Sequence, residues 1–506
     1  MENNYSFIDE TFEEDTQSGQ GRNVGRGLIL AILFIMFIIS LILAYLAPAS
    51  LSRPYLGTCV IMALVTVILQ TIYRATGPRP VNWFCIDVLF MVSFFIIHFW
   101  YPMYWLMGQV PSEIKLWINE SVVCYATMMS VSGLLAFMMG FNCLADSFPH
   151  VQWSSFIDIQ ALRKWKNAGR IIFLGGCAVV ALYIGVLGRE LFGGVYGGIV
   201  GGYLPRVLYL LLNILIYLGF IIMTIAAARL TGKWKIGTGP KLALMVFLVY
   251  VLVLGDRSNV ASLVLLLGAA YSEFVKHISL KKFAIGFAAA MFLLGVARIA
   301  RYSPERTISS FVKTALEYRE DIALDESFLN FSGSVRTVYA AVNAVPSEFN
   351  YFYGRLKIAE LMGVIPFSRR LLPLMRVQFS NSALFLTWII HRSFASGAGA
   401  TIIADLYVDF GYPGVVVFMF LIGWLCKYVQ QKARQRGTMV WGVAHATMIS
   451  TVALMPRYNI LSLIRGVLWP VLMILVLRAV LGIPKQSAES QVVAYELGED
   501  FDIMTG

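Results

Sequence analysis

Between residues 28 and 482 the chain returns repeatedly to uncharged, apolar runs of about 20 residues. Each is long enough to cross the roughly 30 Å of hydrocarbon in a bilayer. Water does not reach a peptide group there, so every backbone N–H and C=O must be satisfied internally, and a single run achieves this as a helix. The runs are continuous and do not alternate apolar with polar, which excludes a β-barrel. Composition agrees: 58% of residues are hydrophobic and 14% charged, far less charge than a soluble domain carries. The expected fold class is an all-α polytopic membrane protein.

About twelve transmembrane helices are expected, at 28–47, 55–72, 83–107, 121–145, 170–187, 206–228, 240–255, 259–275, 283–300, 408–428, 438–456 and 464–482. Ala47-Pro48-Ala49 is slightly like a signal-peptidase site, but the run before it is too long for a signal core, so it reads as a retained first span. The chain then divides into a disordered acidic tail (1–26), nine helices (27–300), a long loop or cap (301–400), three helices (401–482) and a second tail (483–506). With the N-terminus inside, 21 of the 40 Lys and Arg lie in inner segments and 7 in short outer loops. The other 12 lie in the long segment 298–400, whose length frees it from the charge rule. Both termini are therefore expected to be cytoplasmic. The run from Ser382 to Ala395, about 14 residues, is too short to span and reads as a re-entrant or interfacial helix on the outer face.

The net charge of +11 belongs to this loop bias, and no nucleic-acid motif accompanies it, so nucleic acid is not an expected partner. The six cysteines lie in or beside apolar runs, and the five histidines show no zinc spacing. No disulfide framework, metal or other cofactor is expected.

Two outer features stand out. Ser303-Pro304-Glu305 is a helix start, followed by Ile308, Phe311, Val312, Ala315 and Leu316 on one face. That helix should lie flat on the membrane or the spans, as part of a folded cap over an outer cavity. "GRELFGGVYGGIVGGY", 188–203, repeats paired glycines every four residues. It serves either close helix packing or a mobile outer loop.

Chemistry concentrates at the outer ends. "LVLGDRSN", 252–259, sets Asp256 and Arg257 in a turn too short to reach far into water. Arg257 runs against the inner bias of positive charge. It either pairs with Asp256, snorkels to headgroups, or binds an anion at the rim of a cavity. A guanidinium stays charged and grips phosphate through two parallel hydrogen bonds. Arg298, Arg301, Arg376, Arg392, Arg457 and Arg465 share its level, and such convergence suits a diphosphate lipid. "SGAGATIIADLYVDFGYPG", 396–414, holds Asp405 and Asp409 four apart, on one helical face. They either cap a helix or pair with cap arginines, or they accept a proton from a sugar hydroxyl. His391 is a second base candidate, with a purely structural role as its alternative.

Together these stretches resemble the Wzy-type polymerases of lipid-linked oligosaccharide repeat units, which build O-antigens, capsules and related polysaccharides. Gly255 and Arg257 match that family's Gly-x-Arg turn. Arg301 and Tyr302 of "ARYS" match its basic-aromatic end before a long loop. Asp405, Tyr407, Asp409, Phe410, Gly411 and Gly414 match its acid-x-Tyr-x-(Asn/Asp)-Phe-Gly stretch, although the family often has Glu where Asp405 stands. Arg465, with Arg457, matches its late arginine. The match runs over 250–302 and 376–470; the first 240 residues agree in hydropathy only.

The resemblance implies a GT-C-like plan with a long, partly helical periplasmic loop, in a bacterial inner membrane. It implies a metal-independent glycosyltransferase acting on undecaprenyl-diphosphate-linked oligosaccharides at the periplasmic face. The growing glycan would move from one lipid diphosphate to the terminal sugar hydroxyl of another. Arg257, Arg301, Arg376, Arg457 and Arg465, with Tyr302 and Tyr407, would bind diphosphate and substrate, and Asp405, Asp409 or His391 would deprotonate the acceptor. The implied partners are membrane lipids and a Wzz-type chain-length co-polymerase. An O-antigen ligase, acting on lipid A-core, is the close alternative. A flippase or transporter is the distant one, disfavoured because no repeat is seen and the clear mid-span charge is Asp87, with His98 and His445 weaker.

Overall fold

The computed structural model describes residues 6–76, 81–110, 117, 119–144, 159–187, 203–253, 257–299, 313, 316–317, 324–362, 378–392 and 398–483. For residues 6–23 and a few helix ends, Arg257 among them, it describes the backbone alone. Every regular element among these residues is a helix.

Each expected span is helical. In order these are α1 (Ser6–Tyr45), α2 (Arg53–Ala75), α3 (Ile86–His98) with α4 (Trp100–Leu106), α5 (Val123–Asn142), α6 (Ile159–Leu187) and α7 (Tyr203–Thr231). Then come α8 (Thr238–Val253), α9 (Arg257–Phe274) and α10 (Leu280–Ile299). The cap supplies α11 (Leu324–Ser332), α12 (Arg336–Ala344), α13 (Arg355–Met362) and α14 (Ser382–His391). The last spans are α15 (Ile402–Arg436), α16 (Met439–Leu454) and α17 (Ile460–Val480).

Among the described residues eight helices are long and apolar enough to cross a bilayer, and nine if α3 and α4, bent by 50° at Phe99, make one crossing. The runs expected as spans seven to nine are α8, α9 and α10, helices of 16, 18 and 20 residues that stand outside that count. By length and composition the described residues thus supply eight or nine candidate crossings where about twelve were expected. Part of the acidic stretch expected to be disordered supplies the first turns of α1, where acids suit the positive end of the helix dipole. Of the amphipathic helix expected at 303–317 only residues 313, 316 and 317 are described, as helix, and the glycine repeat at 188–202 lies outside the described residues.

Close approach through small residues, sought in that repeat, is carried by single glycines elsewhere. A Cβ on Gly140 of α5 would lie 2.0 Å from the Phe420 carbonyl oxygen of α15, and one on Gly423 would lie 2.1 Å from that of Phe137. Gly219 of α7 meets α6 in the same way, 2.6 Å from the Phe173 nitrogen. Without a hydrophobic force between helices in lipid, such backbone contact is what holds them.

Connecting segments sort into two ends. The Trp83 N–H donates to the Ile278 carbonyl at 3.0 Å, and Asn82 Nδ2 lies 3.4 Å from Glu273, which Arg434 also faces at 3.9 Å. These joints link only segments expected to be inner. Asn119 bonds Asn343 at 3.1 Å, and the Arg53 guanidinium lies 5.2 Å from the Trp105 ring centre, linking only outer ones. Asp87, taken as a mid-span charge, sits instead in the first turn of α3, ion-paired with Arg74 and bonded to Gln70 at 3.0 Å.

Candidate functional site

The stretch holding the two aspartates is helix from Ile402, not the mouth of a span starting at 408. The Thr401 side chain caps it, accepting from the Ala404 N–H at 3.3 Å. The helix breaks at Gly411, with φ 66° and ψ −164°, before Pro413. This region is open essentially to glycine alone. The short first piece, 402–410, is therefore turned away from the span that follows, and its acid face points into the cap.

There Asp405 and Asp409 surround Lys357 of α13. The ammonium lies 2.5 Å from Asp405, 3.1 Å from Asp409 and 3.4 Å from Glu360 of its own helix. Both aspartates are 0% exposed and Glu360 2%. The spare oxygens are also occupied. Asp405 accepts from Ser382 Oγ and, at 2.9 Å, from the Ile460 N–H that opens α17. Asp409 accepts from the N–H groups of Gly354 and Leu356 at 3.1 and 3.3 Å. Glu360 accepts from Ser382 N–H at 3.0 Å and Asn459 Nδ2 at 3.1 Å, and lies 3.1 Å from Ser382 Oγ, whose one proton it shares with Asp405.

Burial works against the charge on Lys357, but Asp405, Glu360 and Asp409 outweigh it and raise its pKa. Burial, then the charge of Asp405, push the Glu360 carboxyl up to about 7, although Lys357 pulls the other way. Each acid is thus held by donors of the surrounding helices, although Asp409 Oδ2 faces the Lys357 ammonium without a hydrogen bond. The cluster fastens α13, the start of α14, α15 and the start of α17 to one another. Of the two sequence readings of these aspartates, the capping one describes what they do here: Asp405 caps the start of α17 and Asp409 that of α13, and among the described residues they pair with Lys357 and not with an arginine. Among the described residues no group of three His, Cys, Asp or Glu side chains is arranged to hold a metal ion; Lys357 occupies the centre of this one.

Tyr407 is buried on another face, donating to the Val345 carbonyl at 3.0 Å with Tyr351 Oη 3.5 Å away. His391 is exposed in the last turn of α14, at the opposite end of that helix from Ser382. The structure does not bring it to the aspartates. α14 itself has 10 residues and packs Phe385 against Phe349, Phe352 and Phe379, as a cap helix and not a crossing.

The second feature is a cavity of about 610 Å³ between α3, α9 and α10. Its walls are apolar, with Ile97, Val264, Phe287 and Met291 among them. Phe283 and Leu294 of α10 both line it, so it follows that helix for about 17 Å. At the end expected to be outer stand Arg457, Tyr458 and Asn459; Lys282 lies at the other. Arg457 belongs to the 3₁₀ turn Met455–Arg457, and its guanidinium sits 5.0 Å from the centre of the Phe331 ring. Arg257 opens α9, whose Ser258 and Ala261 line the same cavity. Arg465 is exposed on α17 and is not part of the lining. Arg301, Tyr302 and Arg376 lie outside the described residues.

The two features share Asn459. It lines the cavity and donates to Glu360, while the next residue donates its N–H to Asp405. The residues that sequence reasoning missed are Lys357 and Glu360. Their i, i+3 spacing in "RLKIAE" is visible, but an exposed helix pair looks the same.

Fold and site define a class: a polytopic helical membrane protein whose cap braces the polar end of an apolar slot. The chain matches the family model for O-antigen polysaccharide polymerase Wzy over residues 28–486, and it belongs to that family. The match takes in the first 240 residues, where resemblance rested on hydropathy alone. No curated protein and no solved structure matched the chain.

Proposed function

We propose that the protein polymerises undecaprenyl-diphosphate-linked oligosaccharide repeat units at the periplasmic face, as a glycosyltransferase needing no metal. The anomeric carbon–oxygen bond to one lipid's diphosphate breaks, and a bond forms to the terminal sugar hydroxyl of another lipid-linked unit. The hydroxyl proton is lost and undecaprenyl diphosphate leaves. The observation that carries this reading, beside family membership, is the slot: apolar walls for a prenyl chain, ending at an arginine for its diphosphate. A guanidinium there stabilises the charge that develops on the departing group.

Arg457 is the proposed diphosphate ligand, with Arg257 beside it by its place at the head of α9. Arg301, Arg376 and Arg465 remain proposed members of the cationic set. Asp405 and Asp409 are proposed as positioning residues, holding Tyr458 and Asn459 at the mouth through Ile460 and Glu360. His391, exposed on the cap, is left as the proposed base. A Wzz-type co-polymerase is the proposed partner in setting chain length.

The test is surface polysaccharide from cells lacking the gene, complemented with wild type, Arg457→Ala or Arg257→Ala, separated by gel at equal membrane level. Wild type should give a ladder of many repeats, and Arg457→Ala a lipid carrying one repeat. A full ladder from Arg457→Ala removes the slot as the donor site. Long chains retained on undecaprenyl diphosphate in the deletion strain, with none on lipid A-core, would make the protein a ligase instead.

A further inference from the structure

A second pocket, of about 1060 Å³, lies at the other end of the bundle, where the start of α6, the end of α7 and the start of α8 meet. Arg163, Lys166, Arg170, Arg229 and Lys235 all line it. No Asp or Glu occurs in 159–170 or 223–241. Among the described residues no carboxylate forms an ion pair with Arg163, Lys166, Arg170 or Lys235.

Inner loops gather positive charge as a matter of topology, but topology asks only that the charge lie in the loop. It does not ask that five cations face one concavity, where like charges repel one another. Such an arrangement is stabilised by an anion held among them. The Ile236–Pro240 segment completes the wall, so the positive end of the α8 dipole adds to the same field.

Depth and surroundings narrow the anion. Trp234 stacks on the Lys241 ammonium, 4.9 Å from the ring centre, as aromatic and basic residues do at a membrane–water boundary. Further into the bundle, α6 exposes Ile171 and Leu174, and α8 exposes Leu242, Met245 and Val246. A ligand here meets cations at headgroup level and bare apolar helix faces below. We propose that this pocket binds the phosphodiester headgroup of an anionic glycerophospholipid of the inner leaflet, its acyl chains lying along α6 and α8. The site is separate from the polymerase reading and does not depend on it.

The test uses full-length protein, purified and stripped of lipid, with bound lipid counted by native mass spectrometry. Wild type should take up phosphatidylglycerol or cardiolipin in preference to phosphatidylethanolamine. Arg163→Gln/Lys166→Gln/Arg170→Gln should bind the anionic lipid on the order of 100-fold more weakly. Lys276→Gln/Lys281→Gln, in another inner loop, should bind it within about twofold of wild type. Equal uptake of anionic and zwitterionic lipid, or equal loss in both variants, overturns the proposal. So does displacement of phosphatidylglycerol by equimolar glycerol phosphate or inorganic phosphate, which would make the ligand a soluble anion. The lipid preference is read on wild type alone, so it stands even if the triple variant does not fold.

Discussion

A lysine ammonium held among three buried carboxylates is outnumbered, and the charge balance around Lys357 sets what each neighbour does. Removing it leaves Asp405, Asp409 and Glu360 together in a site closed to water. Breaking a buried ion cluster from one side costs about 3–5 kcal/mol. Lys357→Met is therefore expected to lower the thermal midpoint in detergent sharply, and Lys357→Arg to recover part of the loss. Equal midpoints for wild type and Lys357→Met would remove the bracing role. Glu360 sets a pH dependence of definite sign. Its pKa is raised from 4.5 to about 7 by burial and Asp405, so the folded state binds its proton more tightly than the unfolded chain. That contribution is fully present below about pH 4.5 and is lost as pH rises through about 7. Between pH 5 and 8 the midpoint of wild type should fall relative to that of Glu360→Gln. A constant difference across that range would show that Glu360 does not titrate there.

At the scale of elements, two breaks in helical regularity place the site. Gly411 turns the first piece of α15 so that Asp405 and Asp409 enter the cap. A side chain there takes up a backbone conformation costing about 1–3 kcal/mol, and its Cβ would stand 3.2 Å from the Tyr351 ring. Gly411→Ala should accumulate in the membrane and give shortened ladders on the polysaccharide gel; full-length ladders would show that the bend is dispensable. The other break is the missing side chain where α5 meets α15. Gly140 and Gly423 contact backbone carbonyls directly, so Gly140→Leu must part the helices. The expected outcome is loss of folded protein from the membrane fraction, measured against Gly57→Leu, whose Cβ would meet nothing within 4 Å. These glycines carry no signature in the sequence. Small-residue spacing pointed to the conspicuous repeat at 188–203, because a pattern of glycines tells which residues permit close approach and not which helix approaches.

For the whole molecule, the contacts named above between described connecting segments join inner to inner and outer to outer, as sorted by charge alone. Single cysteines at Lys233 and Lys281 should resist an impermeant thiol reagent in intact cells, and one at Arg355 should react. The reverse pattern would invert the topology. Hydropathy and motif by themselves determined that this chain is a helical membrane protein, where its helices run, and that its charged stretches resemble those of one family. Those properties follow from local composition, because lipid forces each apolar run to satisfy its own backbone. The sequence did not determine how many helices cross, since α8, α9 and the α3–α4 bend depend on packing as well as length. Nor did it determine the fate of Asp405 and Asp409. Their partners lie 23 to 55 residues away in the chain, at Lys357, Ser382 and Ile460, and only the tertiary fold brings an ammonium, a hydroxyl and a helix N-terminus to two carboxylates.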